Sequence, residues 1–239
     1  MFQHLSRRVK KFWASAALLS VEMILVVGLF TVALITFVYL VRRVFVLKRT
    51  NIDDRVFSFL ESHVSDRNNA VMQAFTFLGT HEFLIPANLG LIAWFLFVKK
   101  HKWHSIKLPA IALSSVGLMF VLKRFFNRPR PDIPLIFEAK GLSFPSGHAL
   151  MSVTFYGLLI YMVYKSTWPA PAKWSAIVFL ALLIIVIGLT RVYLRVHYAS
   201  DVLAGYCVGF LWLVFAIWML NRLEKYSRAR FDRAVQAPA

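Results

Sequence analysis

The sequence predicts an all-α integral membrane protein, a six-helix bundle that crosses the bilayer six times. Its 239 residues are 59% hydrophobic, with a mean hydropathy of +0.64. The apolar residues form near-continuous blocks, which a soluble amphipathic helix would interrupt with a polar face. Six blocks approach or reach the length of about 17–25 residues that a spanning helix needs. We place them at residues 16–41, 83–98, 106–122, 149–164, 174–190 and 200–220.

The first and last blocks each contain one residue of chemical interest. The first block is too long for a secretory signal and lacks a small-residue cleavage site, so we expect a retained helix. Its one carboxylate, Glu22, lies near the end of the block, which favours a packing or snorkelling role over a functional one. Cys207 in the last block is the only cysteine, which excludes disulfides and thiolate metal sites.

Two segments between the blocks are long. Within residues 42–82, the stretch from Asp53 to Glu61 alternates charged residues with aliphatic and aromatic ones at helical spacing. It predicts a helix between the first two spans that lies at the membrane interface, caps the bundle, or does both. Residues 123–148 contain four of the nine prolines and predict a loop. Nothing marks a second unit, so we expect residues 1–239 to form a single domain.

The formal charge of +17 indicates contact with either nucleic acid or anionic lipid. The basic residues cluster at the ends of the apolar blocks, which favours the membrane and argues against a nucleic-acid partner. The side that carries both termini holds 15 of the 28 basic residues. The opposite side holds 10 once Lys123, Arg130 and Arg191 are set aside as ligands. The positive-inside rule then predicts cytoplasmic termini, with the motifs below on the opposite face of the membrane.

The first motif runs from Lys123 to Arg130 and Pro131. Basic residues after a membrane span commonly do no more than anchor the helix at the lipid headgroups. Here Pro129 and Pro131 disfavour helix, so Arg128 and Arg130 are predicted to project from an extended path. A guanidinium held in this way suits bidentate contact with phosphate oxygens, with a lysine as a point charge beside it.

The second motif, Pro145-Ser146-Gly147-His148, comes directly before the fourth block. Ser146 at this position is typical of a helix N-cap. The start of a helix also offers free amides and a positive dipole end, and Gly147 lets a ligand approach the backbone, so phosphate would bind there. His148 is either part of that site or an ordinary histidine at headgroup level.

The third motif joins Arg191, His197 and Asp201 between the fifth and sixth blocks. His197 and Asp201 lie four residues apart and share a face if the last helix begins early. The carboxylate would then fix one ring nitrogen and leave the other free to attack. The alternative is that Asp201 only caps the helix and that His197 is unrelated to it.

The three motifs together resemble the signature of the type 2 phosphatidic acid phosphatase superfamily. The one departure is Thr190, where that superfamily commonly has serine before the arginine. The resemblance implies hydrolysis through a phosphohistidine, with His197 as nucleophile, Asp201 orienting it, and His148 as acid and then base. It also implies that the phosphate oxygens are held by Lys123, Arg130, Ser146, Gly147 and Arg191.

The expected substrate is a phosphate or diphosphate on a membrane lipid. By resemblance, the candidates are undecaprenyl diphosphate, phosphatidylglycerophosphate and phosphatidic acid. A lipid A 1-phosphatase and a lipid phosphotransferase that uses the same histidine are the alternatives, and a non-enzymatic lipid carrier is less favoured. No cofactor or metal is expected, since carboxylates near the motifs are few and Asp132 reads as a solvated loop charge. The sequence indicates no oligomeric state.

Overall fold

The computed structural model describes residues 2–100, 102–132, 134–135 and 141–236, with side chains from residue 21 to 229 except residue 102. The described residues form eight helices and no strand. α1 and α4 each continue into a five-residue π-helical turn, Arg42–Val46 and Trp94–Val98. The helices are α1 Phe2–Val41, α2 Asn51–Glu61, α3 Asp66–Phe77, α4 His81–Ala93, α5 Lys102–Phe126, α6 Gly147–Lys165, α7 Ala170–Tyr193 and α8 Ala199–Gln236.

The predicted all-helical membrane fold is confirmed. Six helical stretches of the described chain are long and apolar enough to cross a bilayer, and each overlaps one predicted span. The second stretch, Asp66–Val98, starts earlier than predicted because α3 leads directly into α4. The predicted loop at 123–148 is shorter than expected, since α5 runs to Phe126 and carries Lys123 in its last turn.

Helix α6 lies at the centre of the bundle and packs against α5, α7 and α8. Two glycines let α8 approach the start of α6 very closely. A Cβ at Gly205 would lie 2.7 Å from the carbonyl oxygen of Ser146, and one at Gly209 would lie 2.9 Å from that of Leu150. Because residues 146–148 begin α6, this close packing fixes the second motif against the helix that carries Asp201.

Polar contacts join the helices at the end of the bundle opposite the motifs. Lys107 Nζ donates to Glu224 Oε2 at 2.7 Å, which ties the start of α5 to α8. Glu22 accepts a hydrogen bond from the Tyr164 hydroxyl and lies 3.9 Å from Lys165 Nζ. These contacts connect α1 to the end of α6 and agree with a packing role for Glu22.

The helix predicted between the first two spans is observed as α2. Its position at a membrane interface stays a prediction. It packs on α7 and α8, and the residue that it buries most deeply is charged: Asp53 is only 2% exposed. The sequence pattern therefore predicts the helix correctly. It predicts that Asp53 lies on the polar, solvent-facing side, whereas the structure buries it.

An aromatic cluster anchors the segment before α6. Phe144 is fully buried, follows Ser143 and makes a cis peptide bond with Pro145. Its ring packs against Phe126 of α5 at a centroid distance of 4.9 Å and against Phe45, after α1, at 5.1 Å. Burial of a phenylalanine in a close-packed site strongly favours one local conformation. The second motif is thus held from both sides, by Phe144 and by α8.

The close approach of α6 and α8 predicts that Gly209→Ala destabilises the protein. The added methyl would lie 2.9 Å from both a backbone oxygen and Val153 Cβ, so the helices must separate, at a cost of about 1–3 kcal/mol. Thermal unfolding of purified protein in detergent measures the loss. Gly28→Ala on α1, with nothing within 4 Å of the new methyl, is the control and should unfold at or above the wild-type temperature. Equal midpoints for Gly209→Ala and wild type would contradict the packing argument.

Candidate active site

A cavity of about 760 Å³ opens among α4, α5 and α6 and reaches the loop between α7 and α8. Its deeper wall is apolar and includes Leu84, Leu108 and Phe155. Five of the eight predicted site residues line its polar end: Lys123, Arg130, Gly147, His148 and His197. The structure therefore brings all three motifs to one place, at one end of an apolar chamber.

His197 lies in the loop that precedes α8, which begins at Ala199. The sequence argument required the last helix to begin early enough to include His197, and the structure shows that it does not. Its ring nevertheless meets the carboxylate, with 3.5 Å between Nδ1 and Asp201 Oδ2. The two side chains are brought together by the turn at residues 194–198 instead of by a shared helical face.

Asp201 is fully buried and has hydrogen-bond partners for both of its oxygens. Oδ2 accepts from the Ser143 hydroxyl and from the Tyr198 amide at 2.9 Å. Oδ1 accepts from Arg128 Nη1 at 2.6 Å. The bond to the amide just before the helix is that of a capping box, so Asp201 both caps α8 and faces His197.

The other ring nitrogen of His197, Nε2, faces the cavity and lies 3.4 Å from Arg130 Nη1. A guanidinium can only donate, so this contact requires an unprotonated Nε2 and places the proton on Nδ1, towards Asp201. Burial lowers the pKa of His197 to about 4, and Asp201 partly opposes that shift. The imidazole is therefore neutral at physiological pH, with a free electron pair on Nε2.

Two cations line the same end of the cavity as His197 and are held by backbone carbonyls. Arg130 donates through Nη1 to Val196 O at 2.8 Å and through Nε to Gly141 O at 3.2 Å. Lys123 Nζ donates to the carbonyl of Leu142. Burial lowers the pKa of Arg130, yet a guanidinium stays charged throughout the range in which proteins fold. These bonds orient both side chains and leave further donors for an anion.

The start of α6 forms another wall of the site. The Ser146 hydroxyl accepts from the Ala149 amide, as an N-cap does. The Ser146 amide, expected to face phosphate, instead donates to the carbonyl of Asp201 at 2.9 Å. The amides of Gly147 and His148 precede the first bond within the helix and are the ones that can bind an anion. His148 Nε2 is buried without a hydrogen-bond partner among the described residues.

Arg191 lies on α7 and is buried, and it is not among the residues that line the described cavity. Its Nη1 donates to the Thr76 hydroxyl of α3 at 2.7 Å, while its Nε has no partner among the described residues. The hydroxyl of Thr190, the departure from the usual serine, donates to the carbonyl of Ile187 at 2.6 Å. That hydroxyl is occupied by its own helix, so it is not available to the site.

Three residues that support Asp201, namely Asp53, Arg128 and Ser143, were not predicted from the sequence to do so. Arg128, expected to face phosphate, is buried between the carboxylates of Asp53 and Asp201. Ser143 bonds Asp201 and lies 3.3 Å from His197 Nδ1. A serine or an aspartate without a recognisable spacing to the motifs carries no signal of this kind, and only the tertiary structure identifies these contacts.

Known proteins are similar to this chain in sequence. The profile of the PAP2 superfamily matches residues 105–225. The chain is 32% identical over 145 residues to phosphatidylglycerophosphatase B of Bacillus subtilis, covering 60% of this chain and 70% of that protein. It is 33% identical over 101 residues to lipid A 1-phosphatase of Rhizobium etli, covering 37% and 38% of the two chains.

Two solved structures are similar in three dimensions. The transmembrane PAP2-type phosphatidylglycerolphosphate phosphatase from Bacillus subtilis superposes with a TM-score of 0.72 at 27% identity, covering 82% of this chain and 96% of that one. Aquifex aeolicus LpxE superposes with a TM-score of 0.55 at 26% identity, covering 68% and 93%.

The buried, neutral His197 predicts a loss of stability in mild acid. Its pKa is about 4 in the folded protein and about 6.5 when unfolded. The unfolded chain therefore binds more protons between these values, so His197 lowers the free energy of unfolding by about 3 kcal/mol as pH falls from 6.5 to 4. Unfolding midpoints against pH for wild type and His197→Gln measure this. Parallel curves for the two proteins would contradict the assignment.

Proposed function

The chain belongs to the PAP2 superfamily, and we propose that it hydrolyses a phosphate ester or diphosphate of a membrane lipid through a phosphohistidine on His197. As a member of this superfamily it is a lipid phosphate hydrolase and an integral membrane protein. The single observation behind the proposed intermediate is the unprotonated Nε2 of His197, a residue that lines the cavity, at 3.4 Å from Arg130 Nη1.

In the first step, Nε2 of His197 attacks phosphorus and the bond between phosphorus and the lipid oxygen breaks. The electron pair leaves with that oxygen, which takes a proton from His148. The ring of His197 becomes positively charged in this step, and Asp201, 3.5 Å from Nδ1, stabilises that charge. His148 lines the cavity and its buried Nε2 has no hydrogen-bond partner among the described residues, which suits it for contact with the departing oxygen.

In the second step, water attacks the phosphohistidine. His148, now unprotonated, accepts the proton from the water, and the bond between phosphorus and Nε2 breaks, which returns the electron pair to His197. Lys123, Arg130 and Arg191, together with the amides of Gly147 and His148, stabilise the equatorial oxygens. Such stabilisation by positioned donors is the main requirement of phosphoryl transfer, and three cations supply it without a metal. Ser146 supports this wall as the cap of α6.

The apolar part of the cavity supports a lipid as substrate. Side chains from α4, α5 and α6 line it below the cations, so a phosphate at His197 would place an acyl or prenyl chain among them. Phosphatidylglycerophosphate is the first candidate, because two of the similar proteins are named for that activity. Undecaprenyl diphosphate and phosphatidic acid have the same chemistry. Lipid A 1-phosphate is the alternative, since the Rhizobium etli relative is named for it.

The reaction centre is proposed to face the periplasmic side of the inner membrane, within a single domain that spans residues 1–239. The distribution of basic residues supports this orientation. In the structure, one basic residue counted on the side of the motifs is paired inside the protein. Arg128 is neutralised by Asp53 and Asp201 within the protein. Fewer free positive charges then remain on the face that carries the motifs, as the positive-inside rule expects.

The proposed chemistry predicts that His197→Ala and His148→Ala each reduce the release of free phosphate by at least about a thousandfold. Purified protein is assayed with a panel of lipid phosphates in excess EDTA, where the wild type should remain active. Addition of a second acceptor lipid separates a hydrolase from a phosphotransferase by the product formed. His63→Ala, exposed and not among the residues that line the described cavity, is the matched control and should stay within about threefold of wild type. More than a tenth of wild-type turnover in both variants would contradict the assignment.

The orientation is tested by labelling with a membrane-impermeant maleimide in spheroplasts, in a Cys207→Ala background. A cysteine at Lys140 would serve, but that residue lies outside the described part of the chain. Asp132→Cys, exposed in the loop between α5 and α6, should react in intact spheroplasts. Thr167→Cys, exposed in the turn between α6 and α7, should react only after permeabilisation. The reverse pattern would place the reaction centre in the cytoplasm.

A further inference from the structure

Arg128 lies behind the reaction centre, on the far side of Asp201 from His197. Its side chain is buried, and it is not among the described residues that line the cavity. Nη1 donates to Asp201 Oδ1 at 2.6 Å, whereas His197 lies 3.5 Å from the other oxygen, Oδ2. Arg128 is thus placed to affect His197 through the carboxylate and is not placed to bind substrate.

A second carboxylate, Asp53 of α2, holds Arg128 from the opposite side. Its Oδ2 accepts from Arg128 Nη2 at 3.0 Å and from the Ser200 hydroxyl at 2.7 Å. Its Oδ1 accepts from the Ser200 amide at 2.9 Å. Ser200 directly precedes Asp201 in the first turn of α8, so Asp53 fixes both the arginine and the backbone that carries Asp201.

The ring of Tyr198 completes the enclosure, with its centroid 3.9 Å from the Arg128 guanidinium carbon. A planar guanidinium that stacks on a ring while it donates to two carboxylates has one orientation. Buried charges of this kind are costly, and a hydrophobic replacement is often as stable. The presence of three of them in one cluster therefore calls for a role beyond stability.

The charges of the cluster suggest what that role is. Arg128 alone would cancel the charge of Asp201 and leave little field to stabilise a positively charged His197. Asp53 restores a net charge of −1 to the group of three, while Arg128 still fixes the orientation of Asp201. In a buried site these charges are only weakly screened. Orientation and charge are then supplied by separate residues.

We propose that Asp53 and Arg128 are positioning residues for phosphoryl transfer, which set the orientation and net charge of Asp201 and through it the reactivity of His197. The inference rests on the proposed function, since it concerns the nucleophile assigned there. It gives α2 a part in the reaction, although no residue of α2 lines the described cavity.

Variants at two positions change the net charge of the cluster in a defined order. Arg128→Gln leaves −2, wild type has −1, Asp53→Asn leaves zero, and the double variant returns to −1. A negative charge near His197 favours its protonated form. The protonation midpoint of His197 should therefore be highest in Arg128→Gln and lowest in Asp53→Asn. It should return close to wild type in the double variant. Asp54→Asn is the matched control, since Asp54 is exposed on the same helix.

The midpoint is read by NMR titration of the labelled His197 ring in detergent micelles, with the signal assigned by its loss in His197→Gln. The other charged groups that face His197 are the same in every variant, so differences between variants report on the cluster. They are Lys123, Arg130, His148, Asp201 and Arg191, whose carbonyl accepts from the His197 amide at 3.2 Å.

Turnover provides the second readout. Asp53→Asn should lower kcat by at least about tenfold, with KM within about twofold of wild type, because Asp201 stabilises charge that develops only in the transition state. The double variant should regain part of that loss. If Asp53 and Arg128 only stabilise the fold, the double variant should instead be less stable than either single variant, while kcat per folded molecule stays unchanged.

The inference is overturned if Asp53→Asn and Asp54→Asn give the same midpoint and kcat. It is also overturned if the kcat of the double variant falls below that of Asp53→Asn. Where a single variant does not fold, the double variant leaves neither Asp53 nor Arg128 charged and is compared with Asp54→Asn. A midpoint close to wild type with a lower kcat supports the inference, and an unchanged kcat or a shifted midpoint overturns it.

The midpoint does not depend on turnover. If wild-type protein releases no phosphate from any lipid, the proposed function fails, while the order of midpoints still tests the linkage.

Discussion

The structure of the reaction centre depends on one buried carboxylate, Asp201. Its oxygens bond Ser143, Arg128 and the Tyr198 amide and face His197, and its carbonyl accepts from the Ser146 amide. These partners come from three segments of the chain: the one after α5, the one before α6 and the turn before α8. A buried carboxylate is stable only when its oxygens are paired, so loss of one contact destabilises the others. The same residue therefore joins these elements and, in the proposed mechanism, orients the nucleophile.

The proposed chemistry requires a neutral histidine beside several cations, and the surroundings of His197 provide both. Burial lowers the pKa of His197 to about 4, which keeps Nε2 unprotonated, as the proposed attack requires. Arg130 and Lys123 are oriented by backbone carbonyls before any substrate arrives. Such preorganisation reduces the rearrangement that the transition state would otherwise require. The apolar cavity next to them is where we propose that the hydrocarbon chain of the substrate binds.

Much of the fold and of the candidate site could be predicted from the sequence because the signals are strong and local. Apolar blocks determine the spans, and Lys123, Arg130, His148, His197 and Asp201 follow a fixed pattern. The boundaries and the supporting contacts could not be predicted in this way. Lys123 lies on α5 because the helix continues past the apolar block, and His197 lies before α8 in a turn. The sequence predicts that Arg128 contacts phosphate and gives Asp53 no role in the site, and only the packing of α2 on α8 buries the two side chains together.

The central claim is that His197 carries the phosphoryl group, and an intermediate trapped by rapid quenching tests it most directly. Wild-type protein is mixed with a lipid whose phosphate is radiolabelled, quenched in alkali and digested with trypsin. Cleavage separates His197, within residues 196–222, from His148, within residues 141–165. The account predicts acid-labile, alkali-stable label on the peptide that contains His197, and none in His197→Ala. Label on the peptide that contains His148, or turnover without any labelled peptide, would contradict it.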